Sequence, residues 1–272
     1  MQGRLSPQVN GKIQAFPWKH WQNEFKIASE NNFKIIEWTI DQERFLENPL
    51  MTEDGKAEIK RISKKYEVKI PSLTGDCFME SPFWKLYGKD RNDRIKDFLK
   101  ISKSCSDLGI NIIVIPLVDG GSIEKTDQSK SLTEFLFEKE NLFMEMGLKI
   151  IFESDFNPKK LKSFIKNFNP EVFGINYDIG NSASLDYNTK EELSAYGNRI
   201  YNVHIKDRVL FGSTVPLGEG NANLPLFFET LSKLDYCGNF ILQTARSKNG
   251  QHLSDLIKYR ILIEKLIKKY ET

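Results

Sequence analysis

Short apolar runs alternate along this chain with longer stretches whose apolar positions recur at helical spacing. Ile112 to Leu117 is apolar throughout, as expected of a strand buried on both faces of a parallel sheet. Just before it, Ile95, Phe98, Leu99, Ile101, Cys105 and Leu108 share one side of a helix that Gly109 ends. The beat continues with a helix near Ser131 to Met146 and its Gly147 stop, a strand Leu148 to Glu153, a helix Pro158 to Phe168 and a strand Val172 to Asp178. After these come a helix around Lys190 to Tyr196, a strand Ile200 to His204, a helix Leu224 to Leu234, a strand Asn239 to Gln243 and a helix Leu253 to Tyr270. Upstream, Gln2 to Leu5 is a short first strand, Phe25 to Glu30 lies in a helix and Lys34 to Trp38 is a second strand. Thr52 caps a helix bearing Ala57, Ile59, Ile62 and Tyr66 on one face, Val68 to Leu73 is a third strand, and TGDCFMESPFWK is a long loop. Strand then helix, repeated about eight times without a linker, predicts an α/β fold, a single (β/α)8 TIM barrel occupying residues 1–272 as one domain. A doubly wound open sheet is disfavoured, because no G-x-G-x-x-G follows the first strand.

Composition narrows the function classes. The 39 Lys and Arg against 37 Asp and Glu leave a net charge of +2, so no nucleic-acid partner is expected. The lysines at positions 159, 160, 162 and 166, and at 265, 268 and 269, fall on amphipathic helices and read as solvated faces. Cys77, Cys105 and Cys237 are widely spaced and odd in number, which fits reduced thiols in a cytoplasmic protein. The N-terminal stretch lacks the apolar core of a signal peptide, and no apolar run nears the roughly 20 residues that span a bilayer, so no membrane association is expected.

The strand ends carry the chemistry. Four successive apolar runs close on a potential ligand: Glu153, Asp178, His204 and Gln243. A parallel barrel presents those ends on one face, where its active site is built. Two carboxylates, an imidazole and an amide oxygen, with no thiolate, suit a divalent metal ion such as Mn, Mg, Co or Zn. The loop from Ser6 to Trp21 would lie over this face, making Trp18, His20 and Trp21 candidates for a pocket wall, unless the tryptophans open the first helix and pack into the core. Asp76, Trp84 and Lys85 in the loop after the third strand are placed to reach the same site.

The segments YDIGNSASLD, VHIKD and VPLGEGNANLPLFFETLSKLDYCGNF resemble the sugar phosphate isomerase/epimerase group of xylose isomerase-like barrels, in particular the L-xylulose and L-ribulose 5-phosphate 3-epimerases. The likeness is dense from Glu153 to Gln243 and stays in register earlier, at IIEWTID and KIPSLTGD. It implies a metal-dependent enzyme acting on a small sugar or sugar phosphate, with the metal held by Glu153, Asp178, His204 and Gln243 and with Glu153 as the base that forms an enediolate. Asn181, Lys206 and Arg208 would bind substrate hydroxyls or a phosphate, although Lys206 and Asp207 could equally form a local ion pair. Gly218 and Gly220 lie in the loop after the seventh strand and Arg246 follows the eighth, a common phosphate-binding region in barrels. Barrels of this group are often dimers or tetramers, so the resemblance allows a homo-oligomer. Endonuclease IV-type DNA repair enzymes share the barrel, but their histidine-rich trinuclear zinc cluster is out of reach for a chain with only His20, His204 and His252.

One position departs from the group. Its fourth ligand is a glutamate, whereas Gln243 has no proton to exchange near neutral pH. Three readings follow: an isomerase in which Glu153 alone moves a proton, an epimerase in which Glu219 or Glu37 supplies the second acid, or a sugar-binding protein that no longer turns its ligand over.

Overall fold

The computed structural model describes residues 3–247 and 249–270. In chain order its main elements are α1 (Trp21–Glu30), β1 (Trp38–Thr39), α2 (Glu53–Tyr66), β2 (Ser72–Thr74), α3 (Asp76–Glu80), α4 (Gly88–Leu108), β3 (Ile112–Leu117), α5 (Thr126–Glu145), β4 (Lys149–Ser154) and α6 (Pro158–Ile165). There follow β5 (Phe173–Asp178), α7 (Ile179–Ser184), α8 (Thr189–Tyr196), β6 (Ile200–Ile205), the short pair β7 (Asp207–Arg208) and β8 (Thr214–Val215), α9 (Leu224–Leu231), β9 (Asn239–Leu242) and α10 (His252–Tyr270). Seven strands pair in the order β1-β2-β3-β4-β5-β6-β9. Every pair in that sheet is parallel, and helices separate successive strands, which makes the fold a curled α/β barrel of the TIM type.

The two faces of each strand have different surroundings. Ile150 and Phe152 of β4, Phe173, Ile175 and Tyr177 of β5, and Val203 and Ile205 of β6 belong to the apolar core. The residues between them, Glu153, Asn176, Asp178, Asn202 and His204, are buried as well and are linked by polar contacts from strand to strand. Because successive side chains point to opposite faces of a strand, one register places apolar groups under the helices and polar groups inside the barrel. Among the helices, Phe98 packs edge-on against Phe83, Phe135 and Phe143 at centroid distances of 6.0, 5.6 and 5.9 Å. Each such buried ring contributes about 1.5–3 kcal/mol.

Helix boundaries follow local chemistry. Thr52 accepts from the Gly55 amide at 3.1 Å and Asn157 from the Lys160 amide at 3.0 Å, while Gly109, at φ 70°, ends α4 in the left-handed conformation.

Two expectations need correction, and the open alternative for the tryptophans is decided. Of the anticipated first strand, Gln2 lies outside the described residues, and Gly3 to Leu5 form turn and bend rather than a ladder. Their amides are taken by a side chain: Gly3 and Leu5 donate to the Glu24 carboxylate at 2.7 and 3.1 Å, leaving those hydrogens unavailable for strand pairing. The stretch after β2 is not an open loop, because it forms α3 and a 3-10 turn, Phe83–Lys85. Its Trp84 is buried with its indole N–H on the Gly121 carbonyl, and Lys85 pairs with Glu124, so neither reaches the barrel mouth. Trp21 packs into the core against Trp38, Trp18 stacks beneath the Arg44 guanidinium, and His20 is exposed.

Candidate active site

Glu153 in β4, Asp178 at the end of β5 and His204 in β6 converge, with one ligand atom from each lying within 4.8 Å of the others. His204 Nδ1 stands 3.0 Å from Glu153 and 4.0 Å from Asp178. The Asp178 carboxylate also caps α7, accepting from the Asn181 amide at 2.8 Å. The β5-to-α7 junction thereby holds Asn181 over Glu153, to which the Asn181 side chain donates at 2.7 Å, while Asn176 donates to the other Glu153 oxygen at 2.9 Å. Gln243, just past β9, completes the group through Lys206, whose ammonium donates to Asp178 and to Gln243 at 3.1 Å each.

Beneath the cluster lies a partner that sequence reasoning placed elsewhere. Glu37 is fully buried and holds His204 Nε2 at 2.8 Å. Ser72 and Thr74 each donate to Glu37 at 2.7 Å and Asn202 does so at 3.0 Å, so its acceptor sites are filled. A carboxylate behind a histidine is the arrangement that fixes ring orientation at metal centres. Burial opposes ionisation of Glu37, but the His204 ring and the Ser72 hydroxyl outweigh it and bring its pKa down to about 2. Burial also opposes a charged His204, yet Glu37 and Glu153 push it up to about 10. Within the triad, burial raises Asp178 against the pull of Lys206, whereas His204 and Lys206 overcome burial and lower Glu153.

Of the cluster, Glu153 lines a cavity of about 380 Å³, to which Gln14, Thr74, Asp76, Pro116, Lys206 and Arg208 also contribute, whereas the buried Asp178 and His204 do not line it. That volume is in the range of small-molecule sites. A larger hollow of 830 Å³ opens at the other end of the barrel, around Lys60, Glu67, Pro71 and Asn111, with no histidine and one carboxylate in its wall.

The residues expected to bind substrate part company. Glu153, Asn181, Lys206, Arg208 and Gln243 line the cavity, whereas Arg246 does not. Its guanidinium donates to the carbonyls of Gly3 and Ser6, clamping the N-terminal segment. Arg208 spends Nε and Nη2 on the Gly212 carbonyl and Nη1 on Asn181, which makes it a brace for the asparagine above Glu153. The Gly218 and Gly220 amides point at the buried Asp207 carboxylate, which accepts them at 2.8 and 3.0 Å and the Ala222 amide at 2.9 Å. Asp207 therefore organises the loop after β8 and leaves the Lys206 charge to Asp178. Neither candidate for a second acid faces the cavity, since Glu37 is sealed behind His204 and Glu219 is exposed in the loop after β8.

Gln14 is a further participant that the sequence did not mark. Its amide nitrogen donates to both Asp76 oxygens at 2.7 and 2.6 Å, and its carbonyl oxygen accepts from Gln243 at 3.0 Å. Asn176 and Asn202 had a legible signal: in FGINYD and IYNVHI they sit two positions before Asp178 and His204, hence on the same strand face.

A buried carboxylate pair and an imidazole gathered at the carboxyl ends of parallel strands define a barrel with a candidate metal centre. The chain belongs to the xylose isomerase-like TIM barrel family, which matches residues 25–261. It is 26% identical over 267 residues, 92% of each chain, to Haemophilus influenzae SgbU, provisionally named an L-ribulose-5-phosphate 3-epimerase. Among solved structures, IolI with a bound zinc atom aligns at a TM-score of 0.75 and 18% identity, covering 92% of this chain and 93% of that one. A Methylomonas sp. D-allulose 3-epimerase in complex with D-allulose aligns at 0.73 and 14% identity, covering 90% of both. Among the described residues, no helix is long and apolar enough to cross a membrane.

Proposed function

We propose that the protein is a metal-dependent sugar isomerase or epimerase that moves a proton through an enediolate, with Glu153 as the base. The observation that carries this reading is the convergence of Glu153, Asp178 and His204 at the carboxyl ends of the strands, where Glu153 opens onto the cavity. The site fits a divalent cation: its donors are oxygen and nitrogen atoms, and Glu37 holds the far side of the His204 ring so that Nδ1 faces the two carboxylates. Glu153, Asp178 and His204 would hold the ion, with the Gln243 carbonyl oxygen as a fourth donor. Such an ion supplies Lewis-acid stabilisation of the negative charge that develops on the substrate oxygens.

The protein's own groups do the rest. Asn176 and Asn181 each donate to one Glu153 oxygen, fixing the carboxylate plane and favouring its ionised, proton-accepting form. Arg208 holds Asn181, so the base is oriented through two steps of hydrogen bonding. Lys206 brings positive charge to the Asp178 and Gln243 side, where it favours an enediolate over a neutral sugar. The relative's name, a 3-epimerase of a ketose phosphate, supports a ketose or its phosphate as substrate.

Solvent exchange tests this reading. Metal-stripped protein reloaded with Mn²⁺ or Mg²⁺ is incubated in D₂O with ketopentoses and ketohexoses, free and phosphorylated, and the sugars are read by NMR after the metal is removed. Deuterium at a carbon beside the carbonyl, lost on chelation, is the expected result. Glu153→Gln should abolish exchange and still bind metal; undiminished exchange in that variant refutes the assignment. The alternative, a sugar-binding protein stalled by Gln243, predicts sugar and metal binding without exchange by the wild type.

A further inference from the structure

With Gln243 unable to carry a proton, epimerisation needs a second titratable group in the cavity wall. Taking the proton-transfer reading as its basis, we propose that Asp76 is that group, returning a proton to the carbon from which Glu153 removes one. Asp76 starts α3 directly after β2 and lines the same cavity as Glu153, Lys206 and Gln243. The two carboxylates are held by separate partners. Glu153 is held by Asn176, Asn181 and His204, and Asp76 by Thr39 of β1 at 3.2 Å and by Gln14. Gln14 ties Asp76 to Gln243, so the Asp76 carboxyl stands one amide group from the residue that cannot titrate. Asp41, Glu80 and Asp119 also line the cavity, but none of them is linked to Gln243 in this way.

The electrostatics agree with that placement. Burial raises Asp76 against the hydrogen bonds from Gln14 and Thr39, and Asp41 and Glu80 add to the rise, bringing it to about 7. The Asp76 carboxylate in turn favours the charged form of the Arg4 guanidinium, which burial and Arg246 oppose, and Lys206 lines the same cavity. An acid poised near neutral pH is suited to both giving and taking a proton.

The step balances without a co-reactant. Glu153 takes the proton as the C–H bond beside the carbonyl breaks, and the bonding pair moves into the enediolate. Protonated Asp76 then gives its O–H proton to the other face of the same carbon, and a new C–H bond forms as the carbonyl returns. Glu153 is left protonated and Asp76 ionised, and exchange with solvent restores both.

The test compares the Mn²⁺-loaded wild type with Asp76→Asn in D₂O, using free and phosphorylated ketopentoses and ketohexoses and following deuterium by NMR and inversion by chromatography. The wild type should label and invert one carbon. Asp76→Asn, which keeps the shape and an oxygen to accept from Gln14, should go on labelling while inversion falls by about 100-fold or more. In the wild type, the ratio of inversion to labelling should fall as pH rises through about 7. Inversion by Asp76→Asn at the wild-type rate, equal losses of labelling and inversion, or a pH-independent ratio would each overturn the proposal. Labelling by the wild type without inversion would overturn the role of Asp76 and leave the proton-transfer reading intact. No labelling of any sugar would overturn both.

Discussion

Glu37→Gln removes one charge from the barrel interior while keeping the side-chain shape, and the structure sets what that should cost. In the wild type the carboxylate takes hydrogen bonds from His204, Ser72, Thr74 and Asn202, with no exposure to solvent. A glutamine oxygen facing His204 and Thr74 retains those two bonds, and the Ser72 hydroxyl can rotate to accept from the new amide. Asn202 cannot, because its amide nitrogen already points at this position. Leaving that donor unmet costs about 1–3 kcal/mol, and weakening the bond to a charged His204 costs about 1.5–3 kcal/mol more. The sum agrees with the ~3–5 kcal/mol typical of removing one member of a buried ion pair, and corresponds to a fall in Tm of roughly 10 °C. The pH range is set by the two shifts. Glu37 is lowered to about 2, so its contribution is present above its unfolded value of 4.5 and is lost as pH falls towards 2. His204 is raised to about 10, so its contribution is full below 6.5 and is lost as pH rises towards 10. The metal-free wild type should therefore exceed the variant in stability most between pH 4.5 and 6.5, measured by thermal unfolding. Calorimetric titration with Mn²⁺ should show affinity about 10–100-fold weaker in Glu37→Gln, since the ring loses its charged support. An unchanged Tm together with unchanged metal affinity would refute the assignment of Glu37 as the partner that orients His204.

Two further substitutions probe the scaffold. Gly220→Ala would place a Cβ 2.2 Å from Asp207 Oδ1 and 2.6 Å from the Arg208 carbonyl oxygen, so the loop must shift. It should lower stability by about 1–3 kcal/mol in denaturant unfolding and reduce turnover through displacement of Lys206 and Arg208. Phe98→Ala empties a fully buried position among Phe83, Phe135 and Phe143 and should cost about 3–5 kcal/mol, while the activity of the folded fraction stays near that of the wild type.

The alternation of strand and helix was readable because each element buries a face of fixed period. Ile112 to Leu117 is a strand over its full expected length, and β5 and β6 end within one residue of the ligands named for them. Strand ends also reveal candidate ligands, because a polar residue closing an apolar run must lie at the mouth of a parallel barrel. The N-terminal segment shows where local pattern stops being enough. Gln2 to Leu5 reads as a short strand, yet Glu24, far along the chain, captures the Gly3 and Leu5 amides, and Arg246, farther still, captures the Gly3 and Ser6 carbonyls.

The sequence by itself determined the fold class, the family resemblance and the convergence of Glu153, Asp178 and His204, because period and strand-end position are local properties. Only the tertiary structure decided which charges are free and which are spent. Arg208 braces Asn181, Asp207 draws the glycine loop inward, Glu37 vanishes behind His204, and Gln14 crosses from the N-terminal loop to join Asp76 to Gln243. Those pairings link residues as distant as Gln14 and Gln243, and a hydrogen bond depends on distance and direction in space rather than on separation along the chain.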